Sequence, residues 1–119
     1  MPLIVYHNPR CSKSRQTLAI VEESGTEHTV VEYLKTPPDG ERIEGLATML
    51  GVPVADLLRT GESEFKEAND LPSLDDDTAL AAWISAHPKV LQRPVVVDDE
   101  AAKAVIGRPP ETVNELLSS

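Results

Sequence analysis

The only cysteine of this 119-residue chain, Cys11, stands in a strongly basic stretch between an apolar run and a helical pattern. The stretch reads His7-Asn8-Pro9-Arg10-Cys11-Ser12-Lys13-Ser14-Arg15. Nearby positive charge and the unpaired N–H groups of a helix N-terminus stabilise a thiolate, and such sites lower a cysteine pKa from about 8.5 to about 3.5–7.5. The stretch therefore predicts a reactive thiol, with Cys11 at or next to the start of a helix.

The neighbours of Cys11 favour this interpretation over a buried, inert thiol. Free cysteines are among the most buried residues, so a small hydrophobe in an apolar pocket is the alternative. Arg10, Lys13 and Arg15 are a poor lining for such a pocket, and their charges are expected to stabilise the thiolate. Ser14 follows by one helical turn and is expected to offer its hydroxyl to the sulfur, while His7 would add charge or a hydrogen bond if the loop folds it back.

Two common cysteine motifs do not fit the spacing. A phosphatase loop needs arginine six positions after the cysteine, where this chain has Thr17. A dithiol redox site needs a second cysteine three positions on, where Ser14 stands. Cys11 must therefore act alone, and any disulfide step takes its second thiol from another molecule.

The first elements predicted around this stretch form a β-α-β unit. Leu3 to Tyr6 is an apolar run typical of a buried strand, and a helical pattern begins at Ser12 and ends before Gly25. Thr29 to Leu34 then predicts a second strand, parallel to the first.

The remainder predicts a helical insertion followed by a β-β-α unit. Helices are expected over 39–50, 54–58, 62–68 and 75–86, strands over 93–97 and 102–106 as an antiparallel hairpin, and a last helix bearing Val113, Leu116 and Leu117. This order resembles an α/β, thioredoxin-like mixed four-stranded sheet. We expect one domain over residues 1–119, with the helical insertion between strands 2 and 3 at about 37–88.

Composition excludes several classes of partner and site. The formal net charge of −9 disfavours nucleic acid and anionic membrane surfaces, which require clustered, uncompensated Lys and Arg. The start of the chain lacks the basic region of a signal peptide, and no window approaches 18 apolar residues. A lone thiol favours a reducing compartment, so we expect a cytoplasmic protein. No Cys, His and acid cluster has metal-ligand spacing, so no metal is expected.

The stretch around Cys11 and several later motifs, taken in order along the chain, resemble those of a known family. They are 7–15, Tyr33-Leu34-Lys35-Thr36-Pro37-Pro38, Leu57-Leu58-Arg59, His87-Pro88, Arg93-Pro94-Val95-Val96-Val97 and Gly107-Arg108-Pro109. From Leu3 to about Leu117 the chain resembles the glutaredoxin-like arsenate reductase family. Ser12-Lys13-Ser14 replaces the Gly-Thr-Ser of many members, and the chain stops soon after its last helix. Both features resemble a shorter branch of that family.

The resemblance implies an enzyme that reduces arsenate to arsenite. Cys11 would attack arsenate, His7 and Ser14 would tune the sulfur, and three arginines would hold the oxyanion: Arg59, Arg93 and Arg108. No bound cofactor is implied; glutathione is the co-substrate and a glutaredoxin resolves the mixed species. Guanidinium groups suit this role because thiolate and arsenate repel each other. The fold also implies a cis proline beside the thiol, which would bring Arg93, directly before Pro94, near Cys11.

Two other functions share this sequence pattern. A general glutathione-dependent thiol oxidoreductase without arsenate specificity would use Cys11 but would not need the arginines. A non-enzymatic, transcriptional-regulator-like binding protein of the same family is the second alternative. Its usual Cys-x-x-Cys switch is absent here because Ser14 stands in the place of the second cysteine.

Overall fold

The computed structural model describes residues 3–117 and contains a mixed four-stranded sheet in the order β2-β1-β3-β4. The elements that build it are β1 (Leu3–His7), α1 (Ser12–Glu23), β2 (His28–Glu32), β3 (Val95–Asp98) and β4 (Lys103–Ile106). β1 pairs parallel to β2 and antiparallel to β3, and β3 and β4 form an antiparallel hairpin. The predicted fold class is therefore confirmed. The predicted domain also includes residues 1–2 and 118–119, which lie outside the described residues.

The chain divides into two compact units, of which the first comprises Met1–Thr36 and Arg93–Ser119. β1 and β3, in the middle of its sheet, are nearly continuous apolar runs, as expected for buried strands. Their side chains join those of α1 and of the C-terminal segment, a 3-10 turn (Pro110–Val113) followed by α5 (Asn114–Leu117), in one core. Its buried members are Leu3, Val5, Val21, Val96, Val113 and Leu116.

Local sequence signals set both ends of α1. Cys11 is the N-cap residue, with extended backbone angles (φ −95°, ψ 123°). At the other end Gly25 has φ +73°, a left-handed conformation that glycine adopts without a Cβ clash. Both positions agree with the prediction, so the cysteine is held at the first turn of a well-bounded helix.

β2 ends earlier than predicted, and the reason lies in its partner strand. The prediction continued β2 to Leu34, but the last residue pair of the parallel ladder is His7 with Glu32. β1 stops there because Asn8-Pro9 follows, so Tyr33 and Leu34 have no strand to pair with despite their β propensity. The chain turns instead, and the N–H groups of Lys35 and Thr36 both donate to the Glu32 carbonyl.

The second unit, Pro37–Gln92, is helical. It contains α2 (Gly40–Leu50), α3 (Ser63–Lys66) and α4 (Asp77–Ala86), with 3-10 turns at Val54–Leu57 and Pro88–Val90. Asp39 and Asp76 cap α2 and α4, accepting hydrogen bonds from the N–H groups three residues on. α2 packs against α4, which buries Ile43, Leu46, Leu80 and Ile84 completely. The single-domain prediction over both units stays a prediction.

One helix prediction needs adjustment in this unit, and one short turn was not predicted. α3 is four residues long rather than the predicted stretch from Glu62 to Ala68, and it has no buried residue. The turn at Pro88–Val90 was not predicted. Among the helices described between residues 3 and 117, none has the length and apolar character needed to cross a membrane.

Candidate active site

The Cys11 sulfur occupies the N-cap position of α1, where a side chain can accept hydrogen bonds from the first free N–H groups. Within residues 3–117 the α1 cap makes no side-chain hydrogen bond of standard geometry, and the first turn holds no acid. Burial raises the pKa of the Cys11 thiol, but the Ser14 N–H, the Arg93 side chain and the Lys13 N–H hold the pKa below its ordinary value of 9.0. The helix start and Arg93 therefore favour the thiolate.

The charged group that acts on the sulfur differs from those that the sequence suggested. The sequence suggested the side chains of Arg10, Lys13 and Arg15, whereas the group that lowers the pKa by its charge is Arg93. Arg15 is turned back on the loop, where its Nη1 donates a hydrogen bond to the Pro9 carbonyl at 2.9 Å. Arg10, Lys13 and Arg15 are all exposed, so nearness in sequence did not place their side chains at the sulfur.

His7 and Ser14 form a buried pair beneath the loop. Ser14 Oγ lies 2.7 Å from His7 Nδ1 and accepts a hydrogen bond from the Asn8 N–H at 3.0 Å. Ser14 thus stabilises the thiolate through its backbone N–H, and its hydroxyl, expected to contact the sulfur, instead fastens β1 to α1.

His7 does not supply the positive charge that the sequence allowed. Burial lowers the pKa of His7 below its ordinary 6.5, against smaller effects of Glu32 and Glu22 that raise it; the charge of Arg15 makes the smallest contribution and also lowers it. The imidazole is therefore neutral at pH 7. Its contact with Ser14 Oγ gives it a structural link to the first turn of α1.

Arg93 and Arg108 both reach the sulfur side of the first unit. Arg93 precedes Pro94 through a cis peptide bond, as the fold assignment predicts. Arg108 Nη1 lies 3.8 Å from Cys11 Sγ and 3.4 Å from the Arg93 carbonyl oxygen. Two guanidinium groups separated by many residues in sequence thus lie at one thiol. Their arrangement can hold an anion against the sulfur.

A close approach between Gly107 and Thr17 sets the position of Arg108. Thr17 is buried on α1, and its hydroxyl is within reach of the Lys13 and Gly107 carbonyl oxygens at 2.9 and 3.3 Å. A Cβ on Gly107 would lie 2.4 Å from Thr17 Oγ1 and 2.9 Å from Pro94 Cγ. Only glycine fits this contact, which holds the residue before Arg108 against the helix that begins at Cys11.

Arg59, the third predicted anion-binding residue, belongs to the second unit. Its backbone N–H donates to the Val90 carbonyl, and its Nε lies 3.5 Å from Glu62 Oε1. Its part in an anion site stays a prediction.

Sequence reasoning missed two buried residues beside the thiol. Asn8 accepts a hydrogen bond from the Arg10 N–H through its side chain and so shapes the loop before Cys11. Tyr33 follows β2 and is fully buried. The signal that could have found them is their shared place directly after two adjacent parallel strands, since ligands in open α/β sheets bind at the carboxyl ends of strands.

A cavity of about 260 Å³ opens beside the same loop. Its lining includes His7, Asn8, Arg10, Glu32, Leu34 and Lys35. Lys35 Nζ lies 3.5 Å from Glu32 Oε1, so the cavity carries an exposed ion pair and a second cation, Arg10. Within the part of the chain that the structure describes, no group of three or more His, Cys, Asp or Glu side chains is placed to hold a metal ion.

Comparisons with known proteins match the chain to a family. The model of the ArsC family matches residues 6–116. The chain is 45% identical to the uncharacterised protein YfgD of Escherichia coli K12 over 95% of this chain and 94% of the relative. It is 42% identical to an arsenate reductase of Neisseria meningitidis over 98% of this chain and the full length of the relative. A solved arsenate reductase structure from Vibrio cholerae superposes with a TM-score of 0.87 at 43% identity, covering 97% of each chain.

Proposed function

Because the chain belongs to the ArsC family, we propose that it is an arsenate reductase whose Cys11 thiolate attacks arsenate. Relatives named arsenate reductase match nearly the whole chain at about two-fifths identity, for example the N. meningitidis protein at 42%. The observation that carries the proposal is the sulfur itself, an N-cap thiol with a lowered pKa and Arg108 Nη1 3.8 Å away. A nucleophile held beside cations suits an anionic substrate.

The first step forms a bond between Cys11 Sγ and arsenic. The thiolate provides the electron pair of the S–As bond, and one arsenate oxygen leaves as water after protonation. Arg93 and Arg108 offset the repulsion between thiolate and oxyanion and hold the oxygens in place. Arg59 is proposed to bind the same oxyanion, supported only by the position of its motif in the sequence.

The reducing electrons come from thiols outside the chain, since Cys11 is its only cysteine. In the proposed cycle the glutathione sulfur bonds to arsenic and a second arsenate oxygen leaves as water. A glutaredoxin thiolate then attacks the glutathione sulfur and breaks its bond to arsenic, whose electron pair stays on arsenic. Arsenic gains two electrons, the two external sulfurs become one disulfide, and water releases arsenite from Cys11. No bound cofactor takes part. A chain that depends on glutathione and on a reduced lone thiol belongs in the cytoplasm.

The cavity beside the loop that leads to Cys11 has charges that suit glutathione. Arg10 offers a cation to one carboxylate of the tripeptide. Lys35 and Glu32, which pair with each other in the free chain, would exchange that contact for the second carboxylate and the ammonium group. This complementarity supports glutathione as the co-substrate.

The test couples the reaction to NADPH consumption through glutathione reductase and glutaredoxin, with and without arsenate. Wild type should show an arsenate-dependent rate that Cys11→Ser abolishes. Arg108→Ala should lose most of the rate, whereas Arg42→Ala, on α2, serves as a matched arginine control and should retain it.

Two results would replace the proposal. A thiol-dependent rate on a small disulfide substrate that needs Cys11 but not Arg93 or Arg108, with no response to arsenate, would indicate the general thiol oxidoreductase. No thiol-dependent turnover, together with specific binding to RNA polymerase, would indicate the regulator-like protein.

A further inference from the structure

The hydroxyl of Tyr33 is a buried polar group directly after β2. Its side chain is 0% exposed, and among residues 3–117 its hydroxyl has no hydrogen-bond partner of standard geometry. Buried polar groups in native proteins are almost always hydrogen-bonded, and the exceptions commonly await a ligand or serve in catalysis. Since phenylalanine would fill the same space without this unmet hydroxyl, the oxygen atom requires an explanation beyond packing.

The hydroxyl lies on the side of Cys11. His7 and Glu32 are the last residue pair of the parallel β1–β2 ladder, so Asn8 and Tyr33 follow together at the carboxyl edge of the sheet. Asn8 begins the loop that ends in the cysteine. The side chains of Asn8 and Arg93 lie beside the phenol, close enough to influence its ionisation, and so does Cys11. Tyr33 therefore faces the thiol and the arginine that stabilises it.

The phenol is a hydrogen-bond donor at neutral pH. Burial raises the pKa of Tyr33 above its ordinary value of 10.0, outweighing Arg93 and Asn8, which act to lower it. The negative charge of the Cys11 thiolate adds to the increase. A neutral donor complements the arginines, because it can bond one oxygen of a tetrahedral anion without repelling the guanidinium groups.

We propose that Tyr33 is a further substrate-binding residue, whose O–H donates a hydrogen bond to an oxygen of the tetrahedral oxyanion held between Cys11 and Arg93. This inference rests on the proposed function for the identity of the anion. The Tyr33 hydroxyl would then have a hydrogen-bond partner of good geometry only when substrate is bound. Because the hydroxyl is buried in this structure, a small shift of the groups around it must accompany binding of the anion.

The test is Tyr33→Phe, with Tyr6→Phe as the matched buried-tyrosine control. In the coupled assay Tyr33→Phe should lower kcat/KM for arsenate by about 10–100-fold, the effect of one hydrogen bond to a charged group. A second measurement needs no turnover: arsenate alone should protect Cys11 of wild type from iodoacetamide, and Tyr33→Phe should need about tenfold more arsenate for the same protection. Tyr6→Phe should behave as wild type in both.

Two further readouts separate a binding role from a structural one. Tyr33→Phe should unfold at the same or a higher temperature, because it removes a buried unsatisfied group. Its alkylation rate without arsenate should keep the wild-type pH midpoint, since Tyr33 is not among the groups that shift the Cys11 pKa.

Three outcomes decide the inference. Equal protection of wild type and Tyr33→Phe by arsenate overturns it, even if arsenate turnover is normal and the proposed function stands. Protection that depends on Tyr33 supports it, even if turnover is absent and the proposed function fails. Failure of arsenate to protect wild type overturns both.

Discussion

The substitution Gly107→Ala should strongly reduce activity, although it replaces none of the residues proposed to bind substrate. The new Cβ would lie 2.4 Å from Thr17 Oγ1 and 2.8 Å from Thr17 Cγ2, whereas ordinary contact begins at 3.4 Å. Relief of the closer contact requires a movement of about 1 Å. Thr17 is buried in α1 and cannot retreat, so the segment carrying Arg108 must move. Overpacking of this kind costs about 1–3 kcal/mol of stability.

The same movement predicts the loss of activity. Arg108 follows Gly107 directly and lies 3.8 Å from Cys11 Sγ, so a shift of about 1 Å misplaces its guanidinium. Misplacement by that distance can cost about 100-fold in rate. We expect kcat/KM for arsenate in the coupled NADPH assay to fall by about that factor. The pH midpoint of Cys11 alkylation should change far less, because the Ser14 and Lys13 N–H groups and Arg93, which lower the thiol pKa, remain beside the sulfur.

A compensating substitution at Thr17 tests whether the steric clash causes the loss of activity. Thr17→Ala removes the two atoms nearest to the new methyl group and leaves Pro94 Cγ at 2.9 Å, so the recovery should be partial. The double variant should therefore recover about tenfold in kcat/KM over Gly107→Ala, a coupling within the range of residues in contact. Gly45→Ala is the control, since a Cβ there meets nothing within 4 Å and should leave the rate unchanged. Wild-type kcat/KM in Gly107→Ala, or no recovery in the double variant, would refute the reasoning.

Two further predictions concern charge at the site. Arg93→Gln should raise the pH midpoint of Cys11 alkylation more than Arg108→Gln does, because Arg93 lowers the thiol pKa through both a hydrogen bond and its charge; equal midpoints would contradict this. The lowered pKa of folded-state His7 means that the unfolded chain binds the proton more readily below pH 6.5, so stability should fall as pH drops from 7 to 5. Urea unfolding of His7→Gln should show a weaker decline, and parallel curves would argue against it.

The sequence predicted the elements whose ends depend on neighbouring residues. Asn8-Pro9 ends β1, Gly25 ends α1 and Asp39 caps α2, and each signal acts within a few residues of its effect. The end of β2 was wrong because a parallel strand lasts only as long as its partner. Propensity at Tyr33 carries no information about where β1 stops.

The residue types of the candidate site could be predicted from the sequence, but most of the contacts between them could not. Cys11 at a helix start followed from local pattern, and so did the need for cations. Which cations reach the sulfur depends on the fold, since Arg93 acts on it while Arg15 bonds to Pro9. The Thr17–Gly107 contact joins positions 90 residues apart and has no signature in either segment.

The N-cap position of Cys11 also affects how readily its sulfur acts as a leaving group. Free N–H groups at the start of α1 and the Arg93 side chain favour the thiolate, so they favour any reaction that regenerates it. A sulfur of low pKa departs faster when an incoming thiol attacks what is bound to it. A thiolate stabilised in this way is a good leaving group as well as a good nucleophile. A covalent species on this helix end is easily displaced, which suits a chain that has no second cysteine to free the first.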